Sequence, residues 1–137
     1  MKLGHDAKTD LLRRVPLFSG ASKRELREIS QLADEVRLPP GYDLTTEGAS
    51  GQELVVIVDG AADVRRRGRK VNSVGPGDFV GEIAIIADIP RTATVTTTRE
   101  TQALVLSRRD FRGLMKRVPS IQLKALEALA SRLPESP

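Results

Sequence analysis

The apolar positions along this chain change period twice, from helical spacing to short strand-like runs and back again. Asp6 to Val15 carries Leu11, Leu12 and Val15, which predicts a short helix stopped by Pro16. Ser22-Lys23-Arg24-Glu25 has the form of a capping box, in which each side chain satisfies the other residue's free N–H. Leu26, Ile29, Leu32 and Ala33 then supply one apolar helical face. Pro39-Pro40-Gly41 is a turn, and Asp43 to Glu47 is a short strand ended by Gly48 and Gly51. Leu54 to Val58 is continuous and rich in β-branched residues, which predicts a buried strand. Asp59-Gly60 follows as a candidate type I′ hairpin turn. Ala61 to Arg66 returns, Gly68 turns, Lys70 to Val74 runs back, and Gly75-Pro76-Gly77-Asp78 turns again. Thr92 to Thr98 and Thr101 to Ser107 are two more strands, split by Arg99-Glu100. From Arg109 the helical period resumes with Phe111, Leu114, Met115 and Val118, and Pro119 breaks it. Ile121, Ala125, Leu126, Leu129, Ala130 and Leu133 mark a last helix with Leu123 off its stripe.

Roughly seven short strands with closely spaced turns, enclosed by helices, predict an antiparallel closed or double-sheet barrel. Strands do not alternate with full helices, which argues against a doubly wound parallel sheet. The expected organisation is a single domain over 1–137, with a helical entry at 6–33, a β-roll at 34–107 and C-terminal helices at 108–133.

Composition narrows the chemistry. With 137 residues, 39% apolar and 29% charged, the chain has the profile of a globular domain, and 3% aromatics make its core aliphatic. Without cysteine there is no disulfide, thiolate metal site or cysteine nucleophile. His5 is the sole histidine and lies near the start, which removes histidine-cluster metal sites and Ser-His triads. No apolar run reaches the ~20 residues of a membrane span, and Met1 to Asp6 lacks a secretory pattern, so a cytoplasmic protein without membrane contact is expected. Net charge is +4, and Arg65-Arg66-Arg67-Gly68-Arg69-Lys70 concentrates five cations at an expected hairpin tip. That run reads as a solvated basic turn. No aromatic residue is interleaved for base stacking, which argues against direct nucleic-acid binding.

One segment carries recognisable binding chemistry, from Phe79 to Val95. Gly81 permits close approach of the backbone, Glu82 opens a helical turn whose body is Ile83-Ala84-Ile85-Ile86, and Pro90 ends it before Arg91. The N-terminus of such a turn offers free N–H groups to an anion. Arg91 adds a planar charged fork, and Glu82 offers two acceptors suited to sugar hydroxyls. Together they describe a site for a sugar phosphate. A structural ion pair between Glu82 and Arg91 is the plain alternative. The small residues Thr92 and Ala93, with Gly81 and Pro90, favour a cradle.

Phe79-Val80-Gly81-Glu82-Ile83-Ala84 with Pro90-Arg91-Thr92-Ala93-Thr94-Val95 resembles the phosphate-binding cassette of the cyclic nucleotide-binding domain family, which includes kinase regulatory subunits, gated channels and bacterial catabolite activators. Val15-Pro16-Leu17-Phe18 with Leu26, Val58-Asp59-Gly60, and Gly75 to Phe79 resemble its helical entry, its central hairpin and the approach to its cassette, so the likeness runs from about Leu12 to Leu133. The resemblance implies a mainly β fold, an antiparallel jelly-roll-type β-roll (double-stranded β-helix) with helices at both ends. It implies that Glu82 accepts from the ribose 2′-hydroxyl, that Arg91 pairs with the cyclic phosphate, and that amides near Ala84 and Thr92 complete the phosphate contacts. Val64 and Val71 match base-packing positions, and Val80, Gly81, Ile83 and Ala93 fall within the binding stretch. The C-terminal residue that covers the base has no match.

The expected function is that of a non-enzymatic sensor needing no cofactor, which binds a cyclic nucleotide and passes the signal to a protein partner or effector domain through its C-terminal helices. Thr92 after the arginine hints at cGMP in the kinase branch, yet hydroxyl residues there accompany cAMP in bacterial members. The arginine- and alanine-rich composition tips the expectation to cAMP. Two alternatives stand beside it: a ligand-free interaction module of the same fold, and the sensor half of a larger transcription regulator, since only four residues follow Leu133 here. A cupin-like metalloenzyme would need histidine ligands the chain lacks.

Overall fold

The computed structural model describes residues 5–50, 53–81, 85 and 90–132. Helix α1 (His5–Arg14) ends before Val15, and Pro16–Phe18 forms a 3-10 turn. Helix α2 (Lys23–Leu32) starts with the expected capping box: Ser22 N–H donates to Glu25 Oε1 at 2.7 Å, and Glu25 N–H donates to Ser22 Oγ at 3.1 Å. Eight strands follow: β1 (Asp34–Leu38), β2 (Asp43–Thr45), β3 (Glu53–Asp59), β4 (Ala62–Arg66), β5 (Arg69–Val74), β6 (Phe79–Val80), β7 (Thr94–Thr97) and β8 (Thr101–Ser107). Helix α3 (Arg108–Arg117) is capped by Ser107, whose Oγ accepts from Asp110 N–H, and α4 (Pro119–Arg132) begins at the helix-breaking proline. No helix among the described residues is long and apolar enough to cross a membrane.

The strands form two four-stranded antiparallel sheets, ordered β1-β8-β3-β6 and β2-β7-β4-β5, the jelly-roll arrangement that was expected. Strand β3 explains the continuous apolar run: it is buried on both faces. Leu54 and Val56 face the helices with Phe18, Leu26, Phe111 and Leu114, while Val55 and Ile57, with Val80 of neighbouring β6, face Ala62 and Val95 of the opposite sheet. Strand β8 divides in the same way, with Leu104 and Leu106 toward the helices and Ala103 toward the roll. The domain thus has two hydrophobic cores that share one sheet, the inter-sheet core aliphatic as expected and the helix-side core holding all three phenylalanines, Phe18, Phe79 and Phe111.

Three features differ from the sequence expectation. Strands β3 and β4 lie in different sheets, so Asp59-Gly60 is a crossing point and not a hairpin turn. Asp59 lacks the positive φ that a type I′ turn demands. Gly60 is needed for space: a Cβ there would meet Thr101 Oγ1 at 2.4 Å and Thr101 Cα at 2.7 Å, at φ +115°. Paired positive φ values occur instead at Arg67 (52°) and Gly68 (78°), between the hydrogen-bonded strands β4 and β5. Thr98 to Glu100 also joins strands of opposite sheets. Strand β1 has no counterpart in the predicted pattern: three of its five residues are charged, and it gains its structure from pairing along β8. On α4, Ile121 and Ala125 are fully buried as expected, whereas Leu123 and Leu126 are 58% and 49% exposed. Leu133 lies outside the described residues.

Gly60→Ala is expected to lose about 2–4 kcal/mol in urea unfolding, through backbone strain and the contact with Thr101. Gly41→Ala, at φ +80° with open space around it, should lose only about 1 kcal/mol. Equal losses would show that the crossing point is not packed as described.

Candidate functional site

The site is built around Arg91, a long cationic side chain only 8% exposed. Its backbone is fixed first: Arg91 N–H donates to Ala49 O at 2.7 Å, and Gly48 N–H donates to Arg91 O at 2.8 Å. The turn after β2 therefore holds the residue as a strand neighbour would. Its guanidinium then spans to the other sheet, with Nη2 donating to Glu53 O at 3.0 Å and Nη1 approaching Gly81 O at 3.4 Å. Gly81 is required at this point. A Cβ would stand 2.4 Å from Arg91 Nη1 and 2.5 Å from Glu53 O, and φ is +101°. The glycine lets backbone and guanidinium occupy one small space, a close approach that a side chain would prevent.

Next to the guanidinium, a cavity of about 260 Å³ opens at the end of the inter-sheet core. This is close to the lower range of small-ligand sites, ~300 Å³. Thr45 (β2), Val64 (β4), Val74 (β5), Val80 (β6) and Val95 (β7) line it, together with Gly81, Arg91, Thr92 and Ala93. Arg91 supplies a fixed cation and the valines an aliphatic surface in the same cavity, which suits a ligand with an anionic group joined to a flat apolar body. The segment after Arg91 is anchored as well: buried Thr45 Oγ1 donates to Ala93 O at 2.8 Å, and Glu47 N–H donates to Thr94 Oγ1 at 2.9 Å.

Of the predicted site residues, the structure brings Val64, Val71, Val80, Gly81, Arg91, Thr92 and Ala93 to this one cavity. Glu82, Ile83 and Ala84 lie outside the described residues. Their neighbour Ile85 is helical and fully buried in the helix-side core. Val71 reaches the cavity by a local irregularity. Val64 pairs with Asn72 and Arg65 with Lys70, so Val71 is the extra residue of a β-bulge. Bulges re-aim a side chain, and Val71 is 52% exposed at the cavity wall.

Sequence reasoning missed Thr45, Arg66, Asn72 and Ser131, all of which line the cavity. Arg66 corrects the expectation of a wholly solvated basic turn: Arg67 and Arg69 are exposed, but Arg66 is half-buried. Period-two alternation from Val64 would have pointed Arg66 to the same side. Ser131 comes from the far end of α4, where no local pattern marks a binding residue.

Comparisons with known proteins bear on the family and the fold. The model of the family described as "Cyclic nucleotide-binding domain" matches residues 35–118. The chain is 30% identical over 129 residues to the CRP-like cAMP-activated global transcriptional regulator of Mycobacterium tuberculosis, covering 90% of this chain and 58% of that protein. The chain thus spans little more than half the length of this relative. Among solved structures, the regulatory domain of Toxoplasma gondii PKA with cAMP superposes with a TM-score of 0.82 at 22% identity, covering 94% of this chain and 50% of that one. The regulatory subunit of a cAMP-independent protein kinase A from Trypanosoma cruzi, bound to guanosine, gives a TM-score of 0.76 at 28% identity, covering 83% and 42%.

Thr45→Val keeps the shape but leaves buried Ala93 O without its donor. Urea unfolding should show a loss of about 1–3 kcal/mol. A change within error would mean that Thr45 does not anchor the segment after Arg91.

Proposed function

Because this chain belongs to the cyclic nucleotide-binding domain family, we propose that it is a non-catalytic sensor whose cavity binds a cyclic nucleotide, cAMP ahead of cGMP. The single observation that carries the reading is the fixed guanidinium of Arg91 on the wall of a cavity that also presents the aliphatic side chains of Val64, Val71, Val74, Val80 and Val95. In this role Arg91 pairs with the cyclic phosphate, Val64 and Val71 pack on the base, and backbone amides near Ala84 and Thr92 complete the phosphate contacts. Glu82 takes the ribose hydroxyl, with Ile83 and Ala84 beside it. Residues 1–137 act as one unit, of entry helices, roll and C-terminal helices. The mycobacterial relative is cAMP-activated, which favours cAMP. The guanosine-bound trypanosome relative makes an uncharged nucleoside the second reading.

A relay toward the C-terminal helices has a physical basis. Arg112 Nη2 on α3 donates to Ile85 O at 3.0 Å, and Ile85 packs in the same core as Phe111 and Leu114. A ligand that favours one arrangement of the segment around Ile85 would bias α3 and α4 by its differential affinity, and by no more than that. Effector domains or protein partners read the outcome.

Calorimetry on the full chain should show binding of cAMP, with guanosine and adenosine about 100-fold weaker for want of a phosphate. Arg91→Ala should weaken cAMP about 100-fold, toward the nucleoside level, because a buried charged partner is removed. No heat with millimolar cAMP or cGMP would sink the sensor reading; guanosine binding as tight as cAMP would favour the nucleoside. Hydrogen exchange tests the relay: cAMP should change the protection of α3 and α4, and unchanged rates in both would refute it.

A further inference from the structure

A separate cavity of about 480 Å³ lies between Leu32, at the end of α2, and helix α3. Helix α3 is strongly basic: Arg108, Arg109, Arg112, Lys116 and Arg117 stand against one acid, Asp110. Three of these cations are already engaged, Arg108 among them. Arg112 holds Ile85 O, and Arg117 pairs with Glu28 of α2 across the bare backbone of Gly113, where a Cβ would sit 3.0 Å from the Arg117 guanidinium. Glu28 and Arg117 thereby tie one wall of the groove to the other. Arg109 and Lys116 both line the groove, are exposed, and have no partner among the described residues.

We propose that this groove docks an acidic segment of a partner protein. Arg109 and Lys116 are seven residues apart on one helix, which sets their backbones ~10 Å apart at 1.5 Å per residue. Two carboxylates four residues apart on an extended chain project to one side about 13 Å apart, within reach of these two long, flexible side chains. A guanidinium takes a carboxylate as a two-pronged fork, and Leu32 offers an apolar contact between the charges. Asp110 lines the same wall and would oppose a continuous polyanion, so a nucleic acid fits less well than a peptide with spaced acids. Arg112 lines the groove and also holds the carbonyl of Ile85, so an acidic segment that draws on Arg112 is coupled to the ligand site. The coupling rests on the cyclic-nucleotide reading; the docking does not.

The test is fluorescence anisotropy with a labelled peptide of about ten residues, bearing Glu at every fourth position with Leu midway between, and its Gln counterpart. Both are titrated with the full chain without nucleotide. The Glu peptide should bind at least about tenfold tighter than the Gln peptide, and Arg109→Glu with Lys116→Glu should weaken it about tenfold or more. The milder pair Arg109→Gln with Lys116→Gln should weaken it in the same direction, and circular dichroism melting verifies that each variant folds. Arg67→Glu with Arg69→Glu makes the same change in net charge at the exposed hairpin tip and should leave binding within about twofold. Equal loss from groove and tip variants, or loss from neither, overturns the proposal. So does a duplex DNA or an anionic phospholipid vesicle that binds through Arg109 and Lys116 when the Glu peptide does not. Added cAMP should shift peptide affinity. A failure of cAMP to bind in calorimetry, with peptide binding intact, removes the coupling and leaves the docking site standing.

Discussion

The site depends on how a cationic side chain is kept inside the domain. A buried guanidinium loses hydration, and this one recovers hydrogen bonds from the backbone carbonyls of Glu53 and Gly81. Those carbonyls belong to the β1-β8-β3-β6 sheet side, while the backbone of Arg91 is tied to the turn at Gly48 and Ala49 that follows β2 of the other sheet. One residue therefore stitches the two sheets together at the open end of the roll. Its reach is possible only because Gly81 has no side chain. The same contact that completes the structure leaves a positive group on the wall of the cavity.

The double burial of β3 and β8 gives the site its second property. Each strand contributes alternate residues to the inter-sheet core and to the helix-side core. A displacement at the cavity thus borders directly on the surface where α3 and the 3-10 turn pack. Ile85 sits on that border, buried among Phe111 and Leu114 and held through its carbonyl by Arg112. Packed interiors transmit such displacements because they have no slack to absorb them. The basic groove of α3 lies on the outer side of the same helix contact, and it shares Arg112.

Elements whose signal is local were legible without coordinates. The capping box of Ser22 and Glu25, the strand Leu54 to Val58, the turn at Gly75 to Asp78 and the helix break at Pro119 all stand where residue chemistry placed them. The gathering of Gly81, Arg91, Thr92 and Ala93 at one cavity was also foreseeable, from a cassette contiguous in sequence. What failed were inferences about which strand pairs with which. Asp59-Gly60 carries hairpin chemistry, yet the chain changes sheets there, and the glycine answers to Thr101, some forty residues away in sequence. Charged β1 exists because β8 offers it an edge.

The sequence by itself determined the local geometry: where helices start and stop, which strands are buried, and that a glycine, an acid and an arginine stand in an order suited to a sugar phosphate. These follow from side-chain sterics and hydrogen bonding over a few residues, and they do not depend on distant parts of the chain. Only the tertiary structure decided that Arg91 is held by Glu53, that a bulge brings Val71 to the cavity, that Arg66 and Ser131 share its lining, and that α2 and α3 enclose a basic groove. Apart from the bulge, which lies within the β4–β5 hairpin, these are contacts between residues remote in sequence. Such contacts are set by how the two sheets and the helices share their buried faces, which no short window of residues specifies.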